Sequence, residues 1–284
     1  MQSNILSFPL QAFPPTRPDW LPFNGLPSAL VNNSKLINIC TLGEFSINKQ
    51  GVPIPCPRGS ISKPLELLKA LVSKGNKQVR RDWLCEILWP DAEGDYAQQT
   101  LDITLHRLRK LVGEHQFVEV RNGKVALNES LCTVDVWYLE DTCDFLHSGD
   151  VTAGIVSEKM MNHAAEVLFC LYRGDFLDTD SDTHWTFLMR DKLRQKFIRS
   201  MASLAKYWHN RGNITMALEL YLRGLEINPL LEEFYQNAIQ CHVQLGHSAE
   251  ALVLYQRCRM YLHQFLGIHP SKRTQSLCDK LTKL

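Results

Sequence analysis

Three runs decide how the chain is read: RRDWLCEILWPD at 80–91, AQQTLDITLHRLRKLVG at 97–113 and FVEVRNGKVAL at 117–127. The first is a helical pattern ending in a polar turn. The second is a longer helix with a basic end. The third is two β-rich segments flanking Asn122-Gly123, a strong short-range hairpin signal. At about 100° per residue, Ala97, Leu101, Leu105, Leu108 and Val112 share one stripe, a core face. The opposite arc carries Gln99, Ile103, His106 and Lys110, with Tyr96 and Arg107 beside it. Asp102 and Arg109 lie on one flank and Thr100 on the other.

Helix, turn, basic helix and hairpin make the layout of a winged helix-turn-helix, whose second helix enters the DNA major groove. The residue types on the outer arc suit that use. Gln matches the adenine edge, Arg the guanine edge, and an apolar side chain the thymine methyl. An ordinary solvated face is the plain alternative. Ile103, apolar amid polar neighbours, has a use in a groove and little in water. The expectation is that helix 95–112 reads DNA while the wing, 117–127, places Arg121 and Lys124 at the hairpin tip.

The motifs also carry a family resemblance. QTLDITLHRLRK at 99–110 resembles the recognition helix of OmpR-type winged helices. VRRDWLCEILWPD at 79–91, with Leu88-Trp89-Pro90-Asp91, resembles the second helix and loop of the bacterial transcriptional activators often called the SARP family. LGEFSINKQGVPIP at 42–55 resembles that family's opening antiparallel strands. The resemblance extends over residues 36–284. It implies that Arg107 and Ile103 meet bases and that Gln99, Thr100 and Arg109 meet bases or phosphates. By the same resemblance Arg121 and Lys124 reach the minor groove or backbone. Gln99 stands where OmpR-type proteins often carry Arg, and Val125 where an aromatic often follows the wing glycine. The loop before the helix, with Asp91 and Glu93 exposed beside the anchors Trp89 and Pro90, corresponds to a surface that often faces RNA polymerase. Helix capping is the other use of these acids, Asp95 above all.

Charge is modest. Residues 35–130 hold fourteen Lys and Arg against eleven Asp and Glu, a net of +3, and residues 131–284 sixteen against eighteen, a net of −2. A domain gripping DNA by charge alone would be more basic. Two copies on adjacent half-sites, as a homodimer on DNA, or a helper protein would supply the missing grip.

The second half contains an internal repeat. Gly212, Ala217, Leu218 and Tyr221 recur as Gly246, Ala251, Leu252 and Tyr255, every interval 34 residues, the tetratricopeptide period. Pro229 ends the first unit. His263 stands at the matching place in the second, so that helix is expected to run on toward Leu266-Gly267. Ile239 occupies a position where a small residue is common, so looser packing is expected there. Two repeats are few for a stable stack, so helices around 159–172 and 193–207 should complete it. LYRGDFL at 171–177, followed by Trp185 and Arg190, and LGIHPSKRTQSL at 266–277 resemble the bacterial transcriptional activator domain of the same family. Phe176 and Trp185 read as core. Acidic on balance, the stack is expected to bind protein rather than DNA.

The fold class expected is mainly α with a small β part: a winged helix-turn-helix domain at 35–130, then an α-helical tetratricopeptide-like domain at 131–284. Residues 1–34, with Pro9, Pro14, Pro15, Pro18, Pro22 and Pro27, read as a proline-rich linker anchored by Trp20 and Phe23. The chain fits either a short stand-alone member of the resembled family or the C-terminal part of a larger regulator. No apolar run approaches the ~18–20 residues that span a membrane, and no signal peptide is visible, so a cytoplasmic location is expected. Nine scattered cysteines without a CxxC pair point to small core residues, not disulfides or zinc. Neither a catalytic constellation nor a cofactor or metal motif is found. The expected function is a DNA-binding transcriptional regulator, an activator, with promoter DNA and RNA polymerase as partners. A protein-interaction adaptor whose winged helix no longer binds DNA is the alternative.

Overall fold

Alternating apolar residues build the first strands. In the computed structural model, which describes residues 35–55, 62–75, 77–152, 156–178 and 184–281, β1 (Ile37–Cys40) pairs antiparallel with β2 (Ser46–Lys49), and Ile39 faces Ile47. The short β3 (Val52–Pro53) adds to β2. The proline-rich segment and its anchors Trp20 and Phe23 lie outside the described residues.

Helix α1 (Lys63–Ser73) follows, with Pro64 in its first turn, where a missing N–H costs nothing. Strand β4 (Val79–Arg80) leads directly into α2 (Arg81–Leu88), and a turn leads to α3 (Gly94–Val112). A single 3₁₀ turn at His115–Phe117 precedes β5 (Val118–Arg121) and β6 (Lys124–Leu127). Strand order in this second sheet is β4-β6-β5. Leu67, Leu68, Leu84, Leu101, Leu108 and Phe117 are completely buried and form the core of this winged helix.

The first sheet does not stop at the boundary expected after residue 130. Strand β7 (Cys132–Val134) pairs parallel with β1, giving the order β3-β2-β1-β7. Helix α4 (Asp135–Leu146) starts on the buried Asp135, whose carboxylate accepts from the backbone and hydroxyl of Thr41, both at 2.7 Å, and from Leu42 N at 2.9 Å. The segment after α6 (Glu158–Leu171) joins the same edge. Leu177 N donates to Thr41 O at 2.7 Å, Gly43 N donates to Asp175 O at 3.0 Å, and Leu42 bridges Phe176. A Cβ on Gly174 would sit 3.1 Å from the Gly43 Cα, so glycine permits this approach. Arg190, on α7 (His184–Asn210), donates to the carbonyls of Phe176 and Leu177 at 2.8 and 2.5 Å, and Arg194 pairs with Asp175. In the LYRGDFL run Phe176 is fully buried as expected, whereas Trp185, also expected in the core, is only half-buried. The neighbours of the run are the opening strands, which a one-dimensional pattern does not reveal.

The described residues accordingly fall into two compact units, 35–145 with 162–194, and 146–161 with 195–281; α6 and α7 contribute to both. The short α5 (Gly149–Thr152) and the helices α8 (Ile214–Ile227), α9 (Glu232–Gln244), α10 (Ser248–Leu266) and α11 (Lys272–Leu281) belong to the second unit.

Repeat positions behave alike. Gly212 and Gly246 both take φ of +79° at the turns, and Ala217 and Ala251 are both fully buried. Asn213 caps α8 by accepting from Met216 N at 3.1 Å. Helix α8 ends before Pro229, whereas α10 runs past His263 to Leu266 and stops on Gly267 at φ +69°. The LGIHPSKRTQSL ending pins α11 to α9. Glu232 accepts from Ser271 N at 2.6 Å, and Gln236 donates to the buried Thr274 hydroxyl at 2.8 Å.

Ile239 is completely buried. Close approach in this unit comes from Gly224 on α8, over which the Phe234 ring lies. A Cβ there would meet Phe234 Cε2 at 2.1 Å, and the ring is held edge-on by Tyr221 at 5.4 Å between centroids. Gly224→Ala should therefore destabilise the protein by about 1–2 kcal/mol, because overpacking outweighs the ~1 kcal/mol gained from better helix propensity. Thermal melts check this, and a rise in Tm would refute it.

Candidate nucleic-acid interface

Helix α3 buries Ala97, Leu101, Leu105, Leu108 and Val112, the stripe its periodicity predicts, together with Thr104. Gln99, Ile103, His106, Arg107 and Lys110 are exposed on the other side, and Thr100 is half-buried with its hydroxyl donated to Tyr96 O at 2.8 Å. Ile103 is 52% exposed and Tyr96 66%. The helix ends on Gly113 in the left-handed region at φ +68°. Lys49 from β2 crosses to this end and donates to Gly113 O at 2.6 Å and Val112 O at 3.2 Å, a cation on the negative pole of the helix.

Two of the nearby cations are engaged by the protein itself. Arg81 forms an ion pair with Asp102 at 2.7 Å and donates to Gln98 Oε1 at 2.9 Å, clamping α2 to α3. The hydrogen bond that Arg81 donates to Asp102 holds the guanidinium still more firmly in its charged form. Arg109, expected among the DNA contacts, is half-buried and donates Nε and Nη2 to Val118 O at 3.2 and 2.7 Å. Its bonds brace the first wing strand against the helix. Arg107, Lys110 and Lys124, by contrast, have no acidic partner among the described residues.

The wing turns through Asn122 and Gly123 at φ +52° and +69°, the paired left-handed conformation of a two-residue hairpin. Arg121 lies opposite Lys124, and Lys124 opposite Arg80 of β4. Three cations thus form one row across the sheet, where directly opposed like charges repel. Glu119 relieves Arg121 at 3.0 Å and Asp82 relieves Arg80 at 3.1 Å, both exposed pairs of small energetic weight. Sequence reading assigned Arg121 and Lys124 to DNA contact and not Arg80. Its strand is two residues long, too short to show a period, and only the register reveals the row.

The loop before α3 is held in place from behind. Lys63 donates to Leu88 O at 3.0 Å and lies 6.0 Å from the centre of the Trp89 ring. Trp89, Pro90 and Tyr96 line an open cleft of about 680 Å³ with Asp91 and Glu93 on it. Both acids are exposed. Glu93 occupies the N-cap of α3, where its carbonyl accepts from Ala97 N at 2.8 Å but its side chain accepts no hydrogen bond from the helix, and Asp95 lies in the first turn. Capping therefore does not occupy the Glu93 side chain.

Among the described residues, no cluster of His, Cys, Asp and Glu is placed to hold a metal ion. The described cysteines are free thiols, most of them buried. Burial pushes the Cys132 and Cys258 thiols up to about 12 and Cys241 up to about 11, so these are inert core residues at neutral pH.

Comparison with known proteins adds two findings. The sequence model of the bacterial transcriptional activator domain matches residues 155–282. The fold resembles a solved chain described as Mycobacterium tuberculosis EmbR in complex with low affinity phosphopeptide, with a TM-score of 0.65 at 20% identity over 88% of this chain. This chain spans 65% of the length of that one. No curated protein matches the chain. Among the described residues, no helix is long and apolar enough to cross a membrane.

Proposed function

We propose, from the match of residues 155–282 to the bacterial transcriptional activator domain, that this chain is a regulator of transcription that works by binding promoter DNA. Helix α3 enters the major groove, with Gln99, Ile103, His106, Arg107 and Lys110 toward the bases and backbone. The wing lies on the adjacent backbone or minor groove. Arg109 acts one step back, fixing the wing at the angle the helix sets. The observation that carries this reading is the cation row Arg80–Lys124–Arg121 beside a helix face whose Arg107 and Lys110 lack acidic partners. Glu119 and Asp82 relieve the outer two members, and a phosphate backbone would relieve Lys124 between them.

Replacing Arg121 and Lys124 together with Ala is expected to lower the slope of log affinity against log salt by about 1.8, two phosphate contacts at ~0.9 each. Equilibrium binding to a duplex between low and moderate salt measures it. An unchanged slope would place the wing away from DNA.

Activation is assigned to the loop before α3, as a surface facing RNA polymerase in a cytoplasmic regulator. What supports it is that Asp91 and Glu93 are exposed and that Glu93 makes no cap bond. Asp91→Ala with Glu93→Ala is expected to leave DNA affinity within twofold while lowering transcription from a bound promoter several-fold in a reconstituted assay. Unchanged transcription would remove the loop from the mechanism. The modest net charge further favours two copies on adjacent half-sites, brought together by linked binding.

A further inference from the structure

Two large apolar side chains stand out on the helix that the proposed function sends into the groove. Tyr96 is 66% exposed and Ile103 52%, while every other apolar side chain of α3 apart from the half-buried Leu111 is buried. At about 100° per residue they lie within ~20° of each other and within ~40° of Arg107, on the face opposite the core. Exposed apolar residues are common singly. Here two are aligned seven residues apart, on the one line of the helix that carries Arg107 and Lys110. Both side chains remain accessible, and Arg81 of α2 is drawn to the flank of the helix by Asp102.

From these positions we infer that Tyr96 and Ile103 select thymine by its 5-methyl group, which makes the recognised half-site a sequence with two required thymines. The inference rests on the DNA-binding reading above and adds the chemistry read at two positions. The thymine methyl is the only apolar group the four bases display in the major groove, and apolar side chains are its natural partners. Seven residues at ~1.5 Å span about 10 Å along the helix. At ~3.4 Å per base step that is about three base pairs, so the two thymines are expected about three positions apart, bracketing the base met by Gln99, with Arg107 beyond the Ile103 end. Burying one methyl against an apolar side chain is worth about fourfold in affinity, from the ~0.8 kcal/mol per buried carbon.

The experiment uses the full chain. A preferred duplex is first selected from random-sequence DNA, and each of its thymines is then replaced singly by uracil, which removes the methyl and keeps every hydrogen-bonding group. Affinity is expected to fall about fourfold at two positions roughly three base pairs apart and to stay unchanged elsewhere. Tyr96→Ala should abolish the uracil effect at one position and Ile103→Ala at the other, each leaving its neighbour's intact. Both side chains are exposed, so both variants should melt like the parent, and circular dichroism verifies this. A selected duplex bound with full sequence preference yet indifferent to uracil everywhere would overturn the inference while leaving the DNA-binding reading standing. Uracil effects that persist unchanged in both variants would also overturn it. If selection enriches no sequence at all, the DNA-binding reading fails and this inference fails with it.

Discussion

Asp135→Ala is expected to lower stability by about 3–5 kcal/mol, the cost of deleting one partner from a buried, fully engaged charged group. Asp135 is 7% exposed and receives Thr41 N, the Thr41 hydroxyl, Leu42 N and Val136 N, all within 2.9 Å. Burial raises its pKa, and the four donors oppose that rise by stabilising the carboxylate. Removing the side chain leaves these four donors without their acceptor. The effect reaches beyond one helix end. Thr41 also accepts from Leu177 N, and Leu42 bridges Phe176, so the same corner holds β1, α4 and the 172–177 segment together. Asp135→Asn is expected to cost less than Ala but well above zero, because its NH₂ group would face two N–H or O–H donors where the carboxylate oxygen accepted them. Urea denaturation at neutral pH measures both. A loss under 1 kcal/mol for Asp135→Ala would mean that the corner is far more adaptable than its geometry.

Arg107→Ala is expected to cost about 1–3 kcal/mol in binding to a preferred site and to relax sequence preference at one position. Arg107 is exposed, has no acidic partner among the described residues, and lies near the middle of the outer face of α3. Its planar fork suits the O6 and N7 pair of guanine. The position is solvent-exposed, so folding stability should stay within about 0.5 kcal/mol of the parent. An equal loss on the preferred and on shuffled duplexes would identify a phosphate contact instead. The contrast with Arg109 is informative. Two residues away and of the same type, it donates to Val118 O. Arg109→Ala should therefore loosen the wing, and its binding defect should come with lower wing protection in hydrogen exchange.

What sequence conveyed and what it hid divide along physical lines. Helix α3 was legible because five apolar residues repeat at a helical period, and the wing because Asn122-Gly123 favours the left-handed pair the turn adopts. The repeats were legible through a fixed spacing of four residue types. Pairing between distant segments left no local trace. Strand β7 joins β1 across nearly a hundred positions, and Gly174–Leu177 joins the same edge, so the division at residue 131 cuts through one sheet. The use made of each arginine was equally invisible. Arg81, Arg107 and Arg109 look alike in the sequence, but Asp102 engages one, Val118 another, and only Arg107 stays free. The close approach at Gly224 left no trace either, because only the fold shows that Phe234 fills the space a side chain would take.

The central claim is that α3 and its wing form a working DNA-reading surface. Its most direct measurement is the affinity of the intact chain for a duplex selected from random-sequence DNA, against a shuffled duplex of the same composition, across a salt series. The account predicts at least a hundredfold preference for the selected duplex, with affinity for both falling steeply as salt rises. Equal, weak and salt-insensitive binding to the two duplexes would contradict it, and would leave the helical repeats as the part of the chain that meets a partner.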